Sequence, residues 1–546
     1  MPIPEILEHN AQQWGREVAL VEVNPDKGPA LAPDLSWNEA ELVMPDLHPG
    51  YRKTLTWQEF DAHANRIAHL LIARGVRKGD KVAILLMNCI EWLPIYFGVL
   101  KAGALAVPLN FRYAADEIRY CLDLADCSVL VFGAEFVTRV QAVQGEIPKV
   151  ALQLYLGADC PAFSEDLWGL AAAQSSEKPA VEIVDSDEAA IYFSSGTTGF
   201  PKAILHNHAG LVSACVTEQA HHGQTHDDVF LCIPPLYHTG AKMHWFGSFL
   251  VGGRAVLLRG ATPAWIVQTA ARERASIVWL LVPWAQDILD AIESGDIELS
   301  QLELSAWRLM HIGAQPVPPS LVKRWQGVFP GHGYDTNYGL SESLGPGCVH
   351  LGMENTHKVG AIGVAGYGWQ TRILDPDGAL VPPGSVGELA VKGPGVMLEY
   401  YRDPAATAAV LRDGWLFTGD MAQEDAGGFI FLVDRKKDVI ITGGENLYPV
   451  QIEDFLRAHP KIKDVAVIGL PDHRLGEIAA AIIEIKPGYN ATEAEIMDFC
   501  AALPRYKRPR RIVFDQVPRN PTGKIEKPRL RKKYVGESLV AQQTQH

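Results

Sequence analysis

The chain has 546 residues, 47% of them hydrophobic and 21% charged, with a formal net charge of −15 at pH 7. That length exceeds the roughly 250–300 residues at which one hydrophobic core stops growing, so at least two domains are expected. The composition excludes a disordered chain, and the acidic balance argues against nucleic acid as the main partner. Eight cysteines, with no CxxC pair and no regular spacing, indicate neither a zinc site nor a disulfide framework, and point to reduced thiols in a cytoplasmic protein.

The N-terminus, MPIPEILEHN, lacks the basic start and apolar core of a secretory signal, and the C-terminal AQQTQH matches no retention or peroxisomal address. The run VALVEV at 18–23 reads as a strand. Residues 24–53 are Pro-rich and aperiodic and read as a surface excursion. TWQEFDAHANRIAHLLIARG follows, where Phe60, Ile67, Leu70 and Leu71 mark one helical face. KVAILLM at 81–87, SVLVFG at 128–133 and RAVLLRG at 254–260 read as buried strands. The most apolar region, from Val82 to Leu109, is interrupted by Asn88, Glu91, Pro94 and Lys101 and falls short of a membrane span of about 20 residues. Strands alternating with amphipathic helices predict a layered α/β fold.

YFSSGTTGFPK at 192–202 places hydroxyls, glycines and a lysine directly after an apolar run. Gly196 and Gly199 let backbone N–H groups approach an anion, Ser194, Ser195, Thr197 and Thr198 add hydroxyls, and Lys202 adds charge, so the stretch is a phosphate-loop candidate. Its spacing, Gly196-x-x-Gly199-x-x-Lys202, is not that of a Walker A loop. Taken alone, such a stretch is more often a plain turn.

Further motifs follow in order: PPLYHTG at 234–240, HIGAQPVP at 311–318, NYGLSES at 337–343, GWLFTGD at 414–420, DRKKDVIITGGENLYP at 434–449 and PRNPTGK at 518–524. Together with the first, these resemble the adenylate-forming superfamily of acyl-CoA synthetases, adenylation domains and luciferases over nearly the whole chain. The resemblance implies a large multi-layer α/β N-terminal domain, residues 1–434, and a small mobile α+β C-terminal domain, residues 435–546, with a hinge near Lys437. It implies ATP and coenzyme A as substrates, Mg²⁺ as the metal, and no prosthetic group. Ser194, Ser195, Gly196, Thr197, Thr198, Gly199 and Lys202 would cradle the ATP phosphates, with Thr198 and Glu342 on Mg²⁺. Gly313, Ala314, Gln315 and Pro316 would pass along the adenine, and Tyr338, beside Gly339, would stack on it. Asp420 would take the ribose hydroxyls with help from Arg435. Lys524 would neutralise charge as the carboxylate attacks the α-phosphate. After domain rotation, Gly443 and Gly444 would line a pantetheine tunnel, and the basic stretch from Arg505 to Lys533 would meet CoA phosphates.

Tyr237 and His238 follow the pattern of acyl- and aryl-CoA ligases rather than of amino-acid-activating domains, with His238 a gate and Gly240 beside it. Trp245, Trp284 and Trp369 fall in segments near the acyl site, although tryptophans mostly fill cores. Trp284 stands where many relatives have a smaller residue, and His311 departs from the small residue usual before GAxP. These two departures point to a compact monocarboxylate: short-chain, branched, alicyclic or aromatic. The expected reaction is AMP-forming acid–CoA ligation, with transfer to a carrier protein as the alternative. A catalytically silent paralogue is disfavoured by the presence of Lys202, Glu342, Asp420, Arg435 and Lys524. Luciferase-like oxidation stays open. The sequence predicts no nucleic-acid partner and no integral membrane segment, and leaves a homodimer open.

Overall fold

Two eight-stranded sheets organise the larger part of the chain in a computed structural model that describes residues 1–24, 41–42, 51–194, 201–260, 262–313, 317–350, 352–442, 445–472, 474–519 and 525–543. In the first sheet the spatial order is Gly333–Asp335, Leu309–Gly313, Ile277–Leu281, Val229–Cys232, Arg254–Leu258 and Val18–Asn24, all parallel. Tyr51–Thr56 and Glu41–Leu42 then close one edge antiparallel. The second sheet runs Glu399–Tyr400, Ala203–Asn207, Glu188–Phe193, Leu105–Pro108, Lys81–Leu85, Cys127–Gly133, Leu152–Leu156 and Glu165–Asp166. The three strands expected from apolar runs after residue 80 are all present. Of the 24–53 excursion, most lies outside the described residues.

Both faces of each sheet are buried. In Ile277–Leu281, Ile277, Trp279 and Leu281 point into the central core, while Val278 and Leu280 point into an outer one, the two-residue alternation of a strand. The central core gathers side chains from both sheets together with helices Trp57–Ala73, Trp92–Lys101, His208–His222 and Thr239–Leu250. Outer helices cover the far faces, so the layers run helix, sheet, helix, sheet, helix. Trp57–Ala73 starts at a capping box in which Thr56 Oγ1 accepts from Glu59 N at 3.2 Å and Glu59 Oε2 accepts from Thr56 N at 2.8 Å, satisfying two otherwise orphaned donors. Its predicted face, Phe60, Ile67, Leu70 and Leu71, is at most 1% exposed.

The polar interruptions in the apolar region are buried with partners. Lys53 pairs with Glu91 at 3.3 Å, and Lys101 reaches Glu8 and Asp61 at 3.0 and 2.8 Å. No helix among the described residues is long and apolar enough to cross a membrane. All eight cysteines are free, and Cys160 alone among them is exposed.

Three further sheets follow, the first a small one of Asn337–Tyr338, Cys348–Val349 and Val364–Ala365. Gln370–Leu374, Gly387–Lys392, Trp415–Glu424 and Leu411–Arg412 form one, with Ile430–Arg435 paired to Trp415–Glu424. The C-terminal sheet runs Glu445–Leu447, Ile440–Thr442, Gly476–Ile485 and Ile462–Asp472, with Arg511–Phe514 parallel to Gly476–Ile485. Helices Pro449–Arg457 and Glu493–Phe499 contribute to its own core of Ile440, Ile452, Leu456, Val465, Ile483 and Ile496. This small α+β unit has a core separate from those of the larger region.

Candidate active site

Strands Glu188–Phe193 and Ala203–Asn207 form an antiparallel pair, and Ser194 N donates to the Lys202 carbonyl at 3.1 Å. That bond fixes both ends of the candidate phosphate loop. Ser195, Gly196, Thr197, Thr198 and Gly199 lie outside the described residues. Lys202 Nζ sits 4.4 Å from the centre of the Tyr400 ring, and the Tyr400 hydroxyl donates to Glu342 Oε1 at 2.9 Å. Glu342 stands on the short turn Ser341–Ser343, anchored where its carbonyl accepts from Met397 N at 2.8 Å. A cavity of about 270 Å³ opens here, lined by Glu342, Tyr400, Thr418, Gly419 and Lys436 among others.

Asp420 lies next to that cavity wall. The register of Trp415–Glu424 against Ile430–Arg435 sets Asp420 opposite Arg435, and Arg435 Nε lies 3.1 Å from Asp420 Oδ1. Tyr338 donates its hydroxyl to Asp420 Oδ2 at 2.5 Å. The Asp420 charge holds the Arg435 guanidinium above its usual range, against the opposing effect of burial. Burial, then the neighbouring Asp420, pushes the Tyr338 phenol well up, so it stays a donor. Gly339 is required sterically, since a Cβ there would lie 2.5 Å from the Gly345 carbonyl oxygen. Gly313 differs: among the described residues a Cβ there would meet only Thr336 Oγ1, at 3.9 Å. Ala314, Gln315 and Pro316 lie outside the described residues.

Of the predicted acyl residues, Tyr237, His238 and Gly240 stand at the start of Thr239–Leu250, while Trp245 lies further along it and Trp284 on helix Val282–Glu293. His238 caps this helix, its Nδ1 accepting from Gly240 N at 3.1 Å. Tyr237 packs edge-on to Phe111, and burial pushes its phenol upward. A Cβ on Gly240 would touch His238 at 3.3 Å and His244 at 3.7 Å. Trp245 is 1% exposed and packs on Phe246 and Phe249 inside the central core. Trp284 is half-buried between two cores. Trp369 packs in the core containing Tyr338 and Tyr400, where a Cβ on Gly393 would lie 2.5 Å from its ring.

At the expected hinge, Lys437 stands at the surface, and partial burial of its ammonium lowers it below the ordinary range. Its neighbours tie the chain on both sides. Asp434 Oδ2 accepts from Val450 N at 2.9 Å, Lys436 reaches Glu388 at 2.8 Å, and Asp438 pairs with Arg531 at 2.6 Å. Gly443, Gly444 and Lys524 lie outside the described residues. Several residues of the basic C-terminal stretch are committed internally: Lys527 to Glu453, Arg519 to Asp464 and Lys533 to Asp515.

Residues absent from the motif reading also build the site. Lys242 is fully buried, its Nζ donating to the Leu236 carbonyl at 2.6 Å while facing the rings of Trp92, Tyr96 and Tyr192. Burial holds it well below the usual lysine range. Asn88 clamps the same loop, accepting from Leu236 N at 2.8 Å and donating to the Pro234 carbonyl at 3.0 Å. These two side chains position Tyr237 and His238 from beneath.

A model described as AMP-binding enzyme matches residues 8–401, and one described as AMP-binding enzyme C-terminal domain matches residues 451–524. The chain belongs to the AMP-binding enzyme family. Among similar family members, the long-chain-fatty-acid–CoA ligase FadD13 of Mycobacterium tuberculosis is 33% identical over 495 residues, spanning 89% of this chain and 95% of that protein. Feruloyl-CoA synthase of an Amycolatopsis species is 33% identical over 485 residues, spanning 88% and 94%. The crystal structure of the anthranilate CoA ligase AuaEII with anthranoyl-AMP superposes with a TM-score of 0.84 at 25% identity, covering 98% of this chain and 97% of that one. The α/β layers with a small C-terminal domain are those of adenylate-forming enzymes. Hard cations such as Mg²⁺ prefer carboxylate and phosphate oxygens, and the cavity-lining Glu342 carboxylate fits that preference.

Proposed function

We propose that this AMP-binding family member is an ATP-dependent, AMP-forming acid–CoA ligase acting on a compact monocarboxylic acid. The observation that carries the reading is a pair of contact clusters, Lys202, Tyr400 and Glu342 at one end and Asp420, Arg435 and Tyr338 at the other, with Glu342, Tyr400 and Gly419, the residue before Asp420, lining one cavity. One end offers a cation and a carboxylate for a phosphate chain with its metal. The other offers an anionic acceptor for ribose hydroxyls beside an aromatic ring.

The reaction joins two anions, so bringing them together and neutralising charge supplies much of the rate gain. Lys202 binds phosphate oxygens, and Tyr400 holds Glu342 toward the phosphates. Glu342, with Thr198, would hold Mg²⁺, which would supply neutralisation of phosphate charge. Asp420 accepts from the ribose hydroxyls, while Tyr338 and Gly313 flank the base. The acid's carboxylate attacks the α-phosphate, forming acyl-adenylate and releasing pyrophosphate, and Lys524 meets the developing charge. The thiol of CoA then attacks the acyl carbonyl and AMP leaves. Rotation about Lys437 exchanges the two faces of the small domain between the half-reactions.

The CoA acceptor is preferred to a carrier protein because the relatives named above are CoA ligases. Compactness of the acid is supported by the bulk around Gly240: the His244 ring lies 4.4 Å from His311 and 4.9 Å from Trp279 between centroids. A cytoplasmic setting accords with the free cysteines. Incubation with ATP, Mg²⁺ and a panel of carboxylic acids, with and without CoA, followed by mass spectrometry of the products, tests the proposal. Acyl-CoA and AMP that require CoA support it, and acyl-adenylate that accumulates unchanged in the presence of CoA counts against it.

A further inference from the structure

His311 is one side of a buried polar cluster whose polar atoms have no part in the nucleotide and acyl readings, which draw only on the bulk of its ring. The last turns of His208–His222 contribute Glu218, His221 and His222, the strand Leu309–Gly313 contributes His311, and Gly333–Asp335 ends in Asp335. The Glu218 and His222 side chains are fully buried, while those of His221 and Asp335 are 2% and 6% exposed.

His221 Nε2 lies 2.7 Å from Asp335 Oδ2, and His222 Nε2 lies 3.7 Å from the same oxygen. His222 Nδ1 lies 3.2 Å from Glu218 Oε2. These contacts lack hydrogen-bond alignment: His221 Nε2, both nitrogens of His222, Glu218 Oε2 and both nitrogens of His311 have no hydrogen-bond partner among the described residues. The His311 ring centre is 4.5 Å from that of His222. Donor atoms of His221, His222 and Asp335 all fall within 4.8 Å of one another.

Two considerations narrow what this cluster takes. Buried polar atoms are normally satisfied, and each exception calls for a partner. Charge gives the second: among the described residues neither Glu218 nor Asp335 has a lysine or arginine within ion-pair distance, and their close basic neighbours are histidines. Arg308, which donates to the His222 carbonyl at 3.1 Å, is bidentate on Asp228. Converging imidazole and carboxylate groups with no lysine or arginine to pair them suit a divalent transition metal. Zinc bonds of about 2.0–2.1 Å in a tetrahedral site set donor atoms about 3.3 Å apart, between the observed 2.7 and 3.7 Å.

We propose that His221, His222 and Asp335 form a site for a divalent transition-metal ion, with zinc the best match to two imidazoles and a carboxylate. The ion ties the C-terminal end of a central helix to the strand that leads, two residues on, to Asn337 and Tyr338. Glu218 lies against the His222 ring, Oε2 to Nδ1 at 3.2 Å, and is itself held by Asn337 Nδ2, which donates to Glu218 Oε1 at 2.8 Å. The ion's role is to fix the floor beneath the adenine side of the nucleotide site, and its presence does not depend on which acid is ligated.

The test is elemental analysis of the untagged full chain after dialysis, before and after addition of Zn²⁺ or Co²⁺. The expected result is about one ion per chain, visible d–d bands with Co²⁺, and a raised Tm on adding Zn²⁺. Asp335→Asn and His221→Gln each lower the bound metal at least about tenfold, with an unchanged far-UV circular dichroism spectrum. Should a variant fail to fold, the wild-type titration and its reversal by a chelator decide the matter. A folded wild-type chain with no stoichiometric uptake and no Tm response overturns the proposal. So do variants that retain the metal, or that change acid selectivity in a chain that binds none, which would make the cluster part of the acyl cleft.

Discussion

Replacing Asp420 with asparagine removes one charge while keeping an oxygen for the Tyr338 hydroxyl. In the wild type that carboxylate is 6% exposed and bears both the Tyr338 bond and the Arg435 ion pair. Truncation to alanine would remove the Tyr338 acceptor and the Arg435 partner together, which confounds binding with local structure. The asparagine side chain instead weakens one charge-assisted hydrogen bond to the ribose, worth roughly 1.5–3 kcal/mol. The expected outcome is a fall in kcat/KM for ATP of about 10- to 150-fold, with KM for the acid changed far less. Pyrophosphate release measured over an ATP series reads this directly, and a denaturant midpoint checks that the fold is intact. An Asp420→Asn enzyme with kcat/KM for ATP within about twofold of wild type would refute the ribose assignment.

Glu342→Gln keeps the Tyr400 hydrogen bond but loses the charge, so the Mg²⁺ concentration for half-maximal rate should rise about tenfold or more; an unchanged Mg²⁺ titration contradicts the metal role. Lys524→Ala should cut acyl-adenylate formation by about 10²–10³ while thioester formation from supplied acyl-adenylate falls much less; equal losses sink the two-conformation account. Burial lowers His206 to about 3 and His208 to about 4 from 6.5. Both are neutral in the fold, and the unfolded chain takes up the protons first. Their stabilisation is whole above pH 6.5 and is lost as pH falls toward 4, by roughly 2 kcal/mol each at pH 5. Urea midpoints at pH 7 and pH 5 should therefore differ, and His206→Gln should narrow the gap; midpoints equal at both pH values would disprove this.

The layered fold was legible because apolar runs such as Val82–Leu85 are buried on both faces, and a strand buried on both faces reads as a continuous apolar run. The helix Trp57–Ala73 was legible through its periodicity and its capping residues. The order of motifs suggested the nucleotide residues, and the structure pairs Lys202 and Glu342 through Tyr400 and, separately, Tyr338 and Arg435 through Asp420. Other contributors could not be read locally. Asn88 acts on a loop about 146 residues away, and nothing beside it in sequence signals that contact. Lys242 resembles a helical surface lysine until the surrounding rings of Trp92, Tyr96 and Tyr192 appear. The histidine cluster joins three separate segments, and the only local sign of it was the unusual bulk of His311.

In the proposed reaction the acid's own carboxylate oxygen attacks the α-phosphate of ATP. Turnover with an acid carrying heavy oxygen in its carboxylate tests this most directly, with the products weighed by mass spectrometry. The prediction is one labelled oxygen in AMP, none in pyrophosphate, and an acyl-CoA that has kept the other. Unlabelled AMP, or ADP with labelled phosphate, would contradict it.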